Sequence, residues 1–230
     1  MGSTGRQTLE FSVSSVSSVV RIRRMSENRP ERIGVFGGSF DPVHMGHLTI
    51  AQDAVEQLEL DRLIFVPAAV PPHKQEKVLT EGRHRFEMLQ LATESNLSFE
   101  VSDMELQRGG VSYTFDTMQQ IQFEHPGAEL FFIVGLDSLT ILHAWKNVDQ
   151  LLENWTIVPF ARGGEDPARV AEQIRLPEPW KAKLMERLIR IHEVEISASE
   201  IRMRLAEGLS IRYLVPPEVE MYIAEHHLYT

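Results

Sequence analysis

Cysteine is absent from the 230 residues of this chain, which excludes disulfide bonds and thiolate chemistry. No apolar run approaches the ~20 residues that a bilayer-spanning helix needs. Positive charge is also scarce, because 23 Lys and Arg against 33 Asp and Glu leave a formal net charge of -10. This balance argues against a general nucleic-acid-binding surface, but a pocket for one nucleotide needs only a few local cations. The sequence therefore predicts a cytoplasmic protein without nucleic-acid or membrane partners.

The beginning of the chain differs in composition from the rest. Residues 1–30 are rich in Ser and Arg and contain too few core-forming side chains to fold. We expect a disordered leader there, or an upstream start with Met25 as the true one. A Ser- and Arg-rich start is loosely like an organelle transit peptide, although Glu10 and Glu27 disfavour that reading. Residues 31–230 are expected to form a single domain.

From Arg32 onward, short apolar runs alternate with helical patterns. Strands are predicted at residues 33–36, 63–66, 99–101, 130–134, 155–160 and 188–194. Helices are predicted at 48–58, 86–92, 114–122 and 217–226, and from an N-cap at Ser199 to about Gly208. The stretch 163–180, rich in Pro, Gly and charge, is interpreted as a surface excursion. This alternation predicts an α/β fold of right-handed βαβ units, with a parallel sheet and helices on both faces.

A phosphate site is predicted where the first strand ends. The strand runs directly into Gly37-Gly38-Ser39-Phe40, and His44-Met45-Gly46-His47 follows at the start of the next helix. Glycines let the backbone approach a ligand, and a helix N-terminus favours phosphate. Histidines three residues apart lie on one helix face. The sequence therefore predicts a polyphosphate site at this strand end.

Two other readings of the histidine pair remain open. The pair could bind a metal, although no third ligand lies nearby in the sequence. The two residues could also be ordinary histidines at a helix start. Neither the Walker pattern nor the G-x-G-x-x-G fingerprint is present.

Two segments together resemble the nucleotidyltransferase superfamily. GGSFDPVHMGH, at 37–47, is similar to its HxGH signature, and residues 196–202 are similar to its ISxTxIR signature, with Ser199 replacing Thr. The resemblance implies a Rossmann-like, doubly wound sheet of the nucleotidyltransferase type. It implies that His44, His47 and Arg202 are catalytic. The implied ATP-binding residues are Gly37, Gly38, Ser39, Phe40, His44, Gly46, His47, Gly135, Asp137, Arg162, Ser197, Ser199 and Arg202.

Further segments resemble the bacterial nicotinate mononucleotide adenylyltransferases. They are PPHK at 71–74, GGVSYTFDT at 109–117, FIVGLDS at 132–138, Trp145 and the ending 213–229. The resemblance implies an acceptor site formed by His73, Lys74, Tyr113, Thr114 and Trp145. Lys146 stands where many members have an aromatic residue, and we hypothesise that its charge assists a carboxylate.

The resemblance implies transfer of the adenylyl group of ATP to nicotinate mononucleotide, in NAD biosynthesis. Magnesium is implied as the ion bound with ATP, without a dedicated protein metal site, and a homo-oligomer is compatible with the sequence. A phosphopantetheine adenylyltransferase or another small-phosphate nucleotidyltransferase is the nearest alternative. A non-catalytic nucleotide-binding module is the alternative from another class.

Overall fold

The computed structural model describes residues 29–72, 79–161 and 164–230. Its five strands are β1 (Arg32–Gly38), β2 (Arg62–Pro67), β3 (Phe99–Val101), β4 (Glu129–Gly135) and β5 (Thr156–Phe160). They form one parallel sheet in the order β3-β2-β1-β4-β5, with Val35 paired to Ile64 on one side and Phe132 on the other. The strand order reverses between β1 and β4. Open α/β sheets bind ligands at such a switch point, beyond the carboxyl ends of the strands.

Nine α-helices lie in the described parts of the chain. They are α1 (Met45–Gln57), α2 (Gly82–Thr93), α3 (Met104–Arg108), α4 (Thr114–Glu124), α5 (Val148–Asn154), α6 (Pro167–Gln173), α7 (Glu178–Glu186), α8 (Ala198–Ala206) and α9 (Pro217–Glu225). Two short 3-10 helices, Leu136–Thr140 and Leu142–Ala144, follow β4. No helix of the described residues has the length and apolar character that crossing a membrane requires.

Each face of the sheet carries its own hydrophobic core. Helices α1, α2, α8 and α9 pack on one face, and their buried residues include Ile50, Met88, Ile201 and Val219. Helices α4, α5 and α7 contribute to the core on the opposite face. The central strands are buried on both faces because helices cover both, which explains their continuous apolar runs. The predicted parallel sheet with helices on both faces is confirmed.

One predicted strand is wrong. In the run 188–194, only Ile189 pairs with the sheet, through a single bridge to Phe160. The backbone N–H of His192 instead donates to the Asp53 carboxylate of α1 at 2.7 Å, and the His192 ring nitrogen Nδ1 lies 2.7 Å from the same carboxylate. This contact holds the chain over the helix and away from the sheet edge.

The structure also corrects smaller expectations. Ser197, rather than Ser199, caps α8, because its hydroxyl accepts from the Glu200 N–H at 3.1 Å. The stretch 163–180 is more than a surface excursion, since it contains α6 and the start of α7 and its Ile174 is buried. The short helices α3 and α5 were not predicted.

The expected leader falls mostly outside the described residues, as 1–28 are not among them. Its last part is described, and there the Arg29 guanidinium pairs with the Asp61 carboxylate at 2.6 Å. Arg29 therefore contacts the domain that was expected to begin at residue 31.

Candidate active site

The loop after β1 is shaped by one aromatic ring. Phe40 has a φ of 46°, in the left-handed region, and its side chain is buried. Its ring packs edge-on against Phe36 and His47, with centroid distances of 5.6 and 5.0 Å. A Cβ on Gly38 would lie 2.9 Å from the Phe40 ring, so this position requires glycine. The glycine that sequence reasoning assigned to ligand approach is therefore also required by internal packing.

The two histidines form a stacked pair at the start of α1. Their ring centroids are 3.7 Å apart, with an angle of 27° between the rings. His47 accepts the His44 backbone N–H at Nδ1 over 3.3 Å, so a neutral His47 ring carries its proton on Nε2. A Cβ on Gly46 would lie 3.1 Å from the His44 ring, so the missing side chain leaves room for that ring. The pair thus supplies imidazole groups beside a helix N-terminus.

The start of α8 lies against the same loop. Arg202 donates from one guanidinium nitrogen to the backbone carbonyl of Asp41 at 2.6 Å and from another to the Ser199 hydroxyl at 3.3 Å. This contact joins positions 161 residues apart in the sequence. The two signature segments therefore meet, and Arg202 brings a positive charge to the phosphate loop.

Buried polar groups support this loop from behind. Arg85 is 2% exposed and donates to the backbone carbonyls of Ser39 and Thr80, each at 2.8 Å. Asp41 is 4% exposed and accepts the Tyr229 hydroxyl at 2.7 Å and the Thr80 N–H at 3.4 Å. Burial lowers the pKa of the Arg85 guanidinium, with Asp41 opposing the change, and burial raises the pKa of the Tyr229 hydroxyl. Tyr229 therefore stays protonated and remains a donor.

Arg85 and Tyr229 were not singled out from the sequence. A signal for Arg85 was present, because it stands at helical spacing with Met88, Leu89 and Ala92 and so shares the apolar side of α2. An arginine at such a position needs buried acceptors. No comparable local pattern marks Tyr229.

Three of the acceptor residues predicted from the resemblance, Tyr113, Thr114 and Trp145, line another part of the site. Tyr113 is the N-cap residue of α4, and Thr114 is the first residue of that helix. Trp145 packs edge-on against Phe132, with ring centroids 6.0 Å apart. The Trp145 indole N–H is buried and has no hydrogen-bond partner among the described residues. This end therefore offers an aromatic wall beside the N-terminus of a helix.

A buried carboxyl group lies beneath the acceptor end. Glu105 is 6% exposed and accepts a hydrogen bond from the Thr117 hydroxyl. Burial raises the pKa of Glu105, while hydrogen bonds from Thr117 and Ser112 act in the opposite direction. Ser112 also accepts the Ala69 N–H at 2.9 Å, which ties the loop before α4 to the end of β2.

The end of β4 contributes an acidic group. The backbone N–H of Ser138 donates to the exposed Asp137 carboxylate at 2.9 Å. A Cβ on Gly135 would lie 2.6 Å from the same carboxylate, so the missing side chain of Gly135 leaves room for the Asp137 carboxylate. A carboxylate here can accept from ribose hydroxyls or an amino group.

These groups surround one cavity of about 590 Å³. Every site residue predicted within the described parts of the chain lines it. They are Gly37, Gly38, Ser39, Phe40, His44, Gly46, His47, Tyr113, Thr114, Gly135, Asp137, Trp145, Ser197, Ser199 and Arg202. His73, Lys74 and Arg162, also predicted, lie outside the described residues. The described parts contain no group of three or more His, Asp or Glu side chains arranged to hold a metal ion.

Comparison with known proteins identifies relatives across most of the chain. The cytidylyltransferase-like family model matches residues 35–204. A Carboxydothermus hydrogenoformans protein named "Probable nicotinate-nucleotide adenylyltransferase" is 40% identical over 199 residues, covering 86% of this chain and 98% of the relative. A Clavibacter michiganensis protein of the same name is 40% identical over 198 residues, covering 86% and 94%.

Solved structures share the fold. A Plasmodium falciparum nicotinic acid mononucleotide adenylyltransferase complexed with NaAD superposes with a TM-score of 0.68. It is 22% identical, and the match covers 86% of this chain and 97% of the other. A second complex, with APC, has a TM-score of 0.66 at 21% identity, with coverage of 86% and 97%.

Proposed function

Because the chain belongs to the cytidylyltransferase-like family and, within it, to the nicotinate-nucleotide adenylyltransferases, we propose the reaction of that family for it. The enzyme transfers the adenylyl group of ATP to nicotinate mononucleotide, a step of NAD biosynthesis. The products are nicotinate adenine dinucleotide and pyrophosphate. The observation that carries the proposal is that both signature segments and the aromatic acceptor residues Tyr113 and Trp145 line one cavity.

The reaction is a displacement at the α-phosphorus of ATP. An oxygen of the mononucleotide phosphate attacks, a new phosphorus–oxygen bond forms, and the bond to the β-phosphate oxygen breaks. The attacking phosphate is already an anion at neutral pH, so the reaction needs no protein nucleophile. Catalysis then depends on alignment and on stabilising the charge of the phosphates.

The phosphate end of the cavity provides groups for this task. His47 carries a donor on Nε2 when neutral, as the hydrogen bond at Nδ1 requires. Arg202 is held at the loop by the Asp41 carbonyl at 2.6 Å and adds a positive charge. The N-termini of α1 and α8 present backbone N–H groups at the cavity. We assign His44, His47, Ser197, Ser199 and Arg202 to the triphosphate.

The acceptor end suits a flat heteroaromatic ring. Trp145 offers an indole face, and Tyr113 lines the same end of the cavity. The first turn of α4, which begins at Thr114, can receive a carboxylate at its N–H groups. We assign these three residues to the nicotinate moiety, and Gly135 and Asp137 to the adenosine of ATP.

Magnesium accompanies the triphosphate in this proposal. The ion neutralises the phosphates and is held mainly by them and by water. The residues around the loop fit this arrangement, because the Asp41 carboxylate is buried and already accepts from Tyr229 and Thr80. We also propose a cytoplasmic location, with ATP and nicotinate mononucleotide as the binding partners.

One product analysis tests the function. The protein is incubated with ATP and magnesium chloride, together with nicotinate mononucleotide, nicotinamide mononucleotide or phosphopantetheine in separate reactions. Chromatography with mass spectrometry then identifies the products, and released pyrophosphate is measured. We expect nicotinate adenine dinucleotide as the preferred product. No dinucleotide from nicotinate mononucleotide would contradict the proposal, and ATP binding without pyrophosphate release would indicate a non-catalytic module.

A further inference from the structure

An ion pair between Lys146 and Asp116 lies at the acceptor end of the cavity. The Lys146 ammonium is 2.8 Å from each oxygen of the Asp116 carboxylate and 5.0 Å from the centroid of the Tyr113 ring. Lys146 lines the cavity beside Trp145. The side chains are 41% and 29% exposed, so neither charge is locked in the interior. A cation therefore stands at the pocket wall with a carboxylate as its partner.

The two pyridine mononucleotides differ in a single group. One carries a carboxylate on the ring and the other a carboxamide of nearly the same size and shape. A pocket wall discriminates poorly between isosteres by shape. At neutral pH the carboxylate is charged and the carboxamide is not. Charge near the ring is therefore an effective way for the site to distinguish them.

Asp116 is stabilised from two sides. It lies in the first turn of α4, where the helix dipole favours a negative charge, and it accepts from Lys146. The carboxylate therefore keeps one stabilising partner when the ammonium turns toward another anion. Lys146 has the long flexible stem that such a movement needs. The pair can open at small cost because exposed ion pairs contribute little stability.

We propose that Lys146 and Asp116 act in opposite directions on acceptor selectivity, within the function proposed above. Lys146 attracts the nicotinate carboxylate and favours it over the carboxamide. Asp116 competes for the ammonium and repels the incoming carboxylate, which limits that preference. The pair is thus a specificity-determining element in which Lys146 increases the preference for nicotinate and Asp116 decreases it.

The opposite signs make the proposal testable with two variants that each remove one charge. In Lys146→Gln, we expect the ratio of kcat/KM for nicotinate over nicotinamide mononucleotide to fall about threefold to fivefold. In Asp116→Asn, we expect the same ratio to rise by about threefold. Lys146→Arg keeps the charge and should restore most of the ratio. Raising the salt from about 0.05 M to about 0.5 M should reduce the wild-type ratio, because exposed charges are screened.

A matched control is available on α7. Lys181 and Glu178 form a lysine–carboxylate pair at 3.4 Å, and neither lines the cavity. Lys181→Gln should leave the ratio unchanged.

Two outcomes would overturn the proposal. If the Lys146→Gln and Asp116→Asn variants moved the ratio in the same direction, or if both lowered activity with an unchanged ratio, the pair would be only a structural tie between Lys146 and α4. Failure of the wild type to use nicotinate mononucleotide at all would instead count against the proposed function. Measuring the wild type first therefore separates the two.

Discussion

The two ends of the cavity hold their charged groups in different ways. At the phosphate end, Arg85 and Asp41 are 2% and 4% exposed and are fixed by several hydrogen bonds. At the acceptor end, Lys146 and Asp116 are 41% and 29% exposed, and Lys146 contacts the Asp116 carboxylate and the Tyr113 ring. Buried, fully hydrogen-bonded groups resist movement, whereas exposed pairs rearrange easily. The comparison suggests a rigid end for the chemical step and an adjustable end for acceptor choice.

Replacing Arg85 by methionine should give the largest effect. The change removes the donors to two buried carbonyls, those of Ser39 and Thr80. Because these carbonyls are left without a donor, we expect the variant to lose about 3 kcal/mol in the free energy of unfolding. Urea titration of the variant and the wild type measures this loss. Activity with both mononucleotides should fall by the same factor, because the damage lies at the phosphate end.

Arg83→Met is the matched control, since Arg83 belongs to the same helix and its side chain is 77% exposed. The free energy of unfolding of this variant should stay close to that of the wild type. If Arg85→Met changed the ratio of kcat/KM for nicotinate over nicotinamide mononucleotide, this would contradict the separate roles assigned to the two ends.

Replacing His47 by alanine tests the phosphate end directly. We expect turnover to fall by more than about tenfold, because a positioned donor to the reacting phosphates is lost. The loss should be equal for nicotinate and nicotinamide mononucleotides. Thermal unfolding should show that the fold survives. Near-normal turnover in this variant would count heavily against the assignment of His47.

Tyr229→Phe should have a smaller effect. It deletes the hydroxyl that donates to the buried Asp41 carboxylate at 2.7 Å. We expect a loss of about 1 kcal/mol in the free energy of unfolding and a parallel loss of activity with both acceptors. Tyr213, 86% exposed, provides the control in Tyr213→Phe. Equal behaviour of the two variants would show that the Asp41 contact contributes nothing.

Glu105→Gln should give the smallest effect, and it depends on pH. Burial raises the pKa of Glu105 above its usual 4.5. The folded state then binds more protons at this group than the unfolded state, so this contribution to stability falls as pH rises from 4.5 through the raised pKa. Glutamine lacks this titration and keeps an oxygen acceptor for Thr117.

Urea unfolding of both proteins at several pH values measures this effect. The wild-type free energy of unfolding minus that of Glu105→Gln should decrease as the pH rises from 4.5 through the raised pKa of Glu105. The exposed Glu178→Gln serves as control. A difference that stays constant with pH would contradict the raised pKa.

Much of the fold was predictable because the signals are local. The run 130–134 is a strand in the structure, as its apolar composition predicts, and helix α1 follows from the periodicity of its apolar residues. The run 188–194 mixes aliphatic residues with polar ones, and its His192 is held by Asp53, a partner 139 residues away. Tertiary hydrogen bonds of this kind leave no mark in a local pattern.

The candidate site shows the same limit. The motifs identified many of the residues that line the cavity, since each motif is a short segment, but not Ile50, Leu79 or Glu105. The groups that support these residues come from elsewhere in the sequence. Arg85 donates to Ser39, 46 residues away, and Asp116 pairs with Lys146, 30 residues away. Their pairing depends on how the sheet orders its strands, which the sequence alone did not predict.

The cavity draws its two ends from separate stretches of the chain. The segments 37–47 and 196–202 contribute residues to the end proposed for the phosphates, and residues 112–114 with 144–146 line the end proposed for the acceptor. Substitutions can therefore accumulate in one stretch while the other is preserved. A lineage can change its acceptor without rebuilding the machinery that handles the nucleotide.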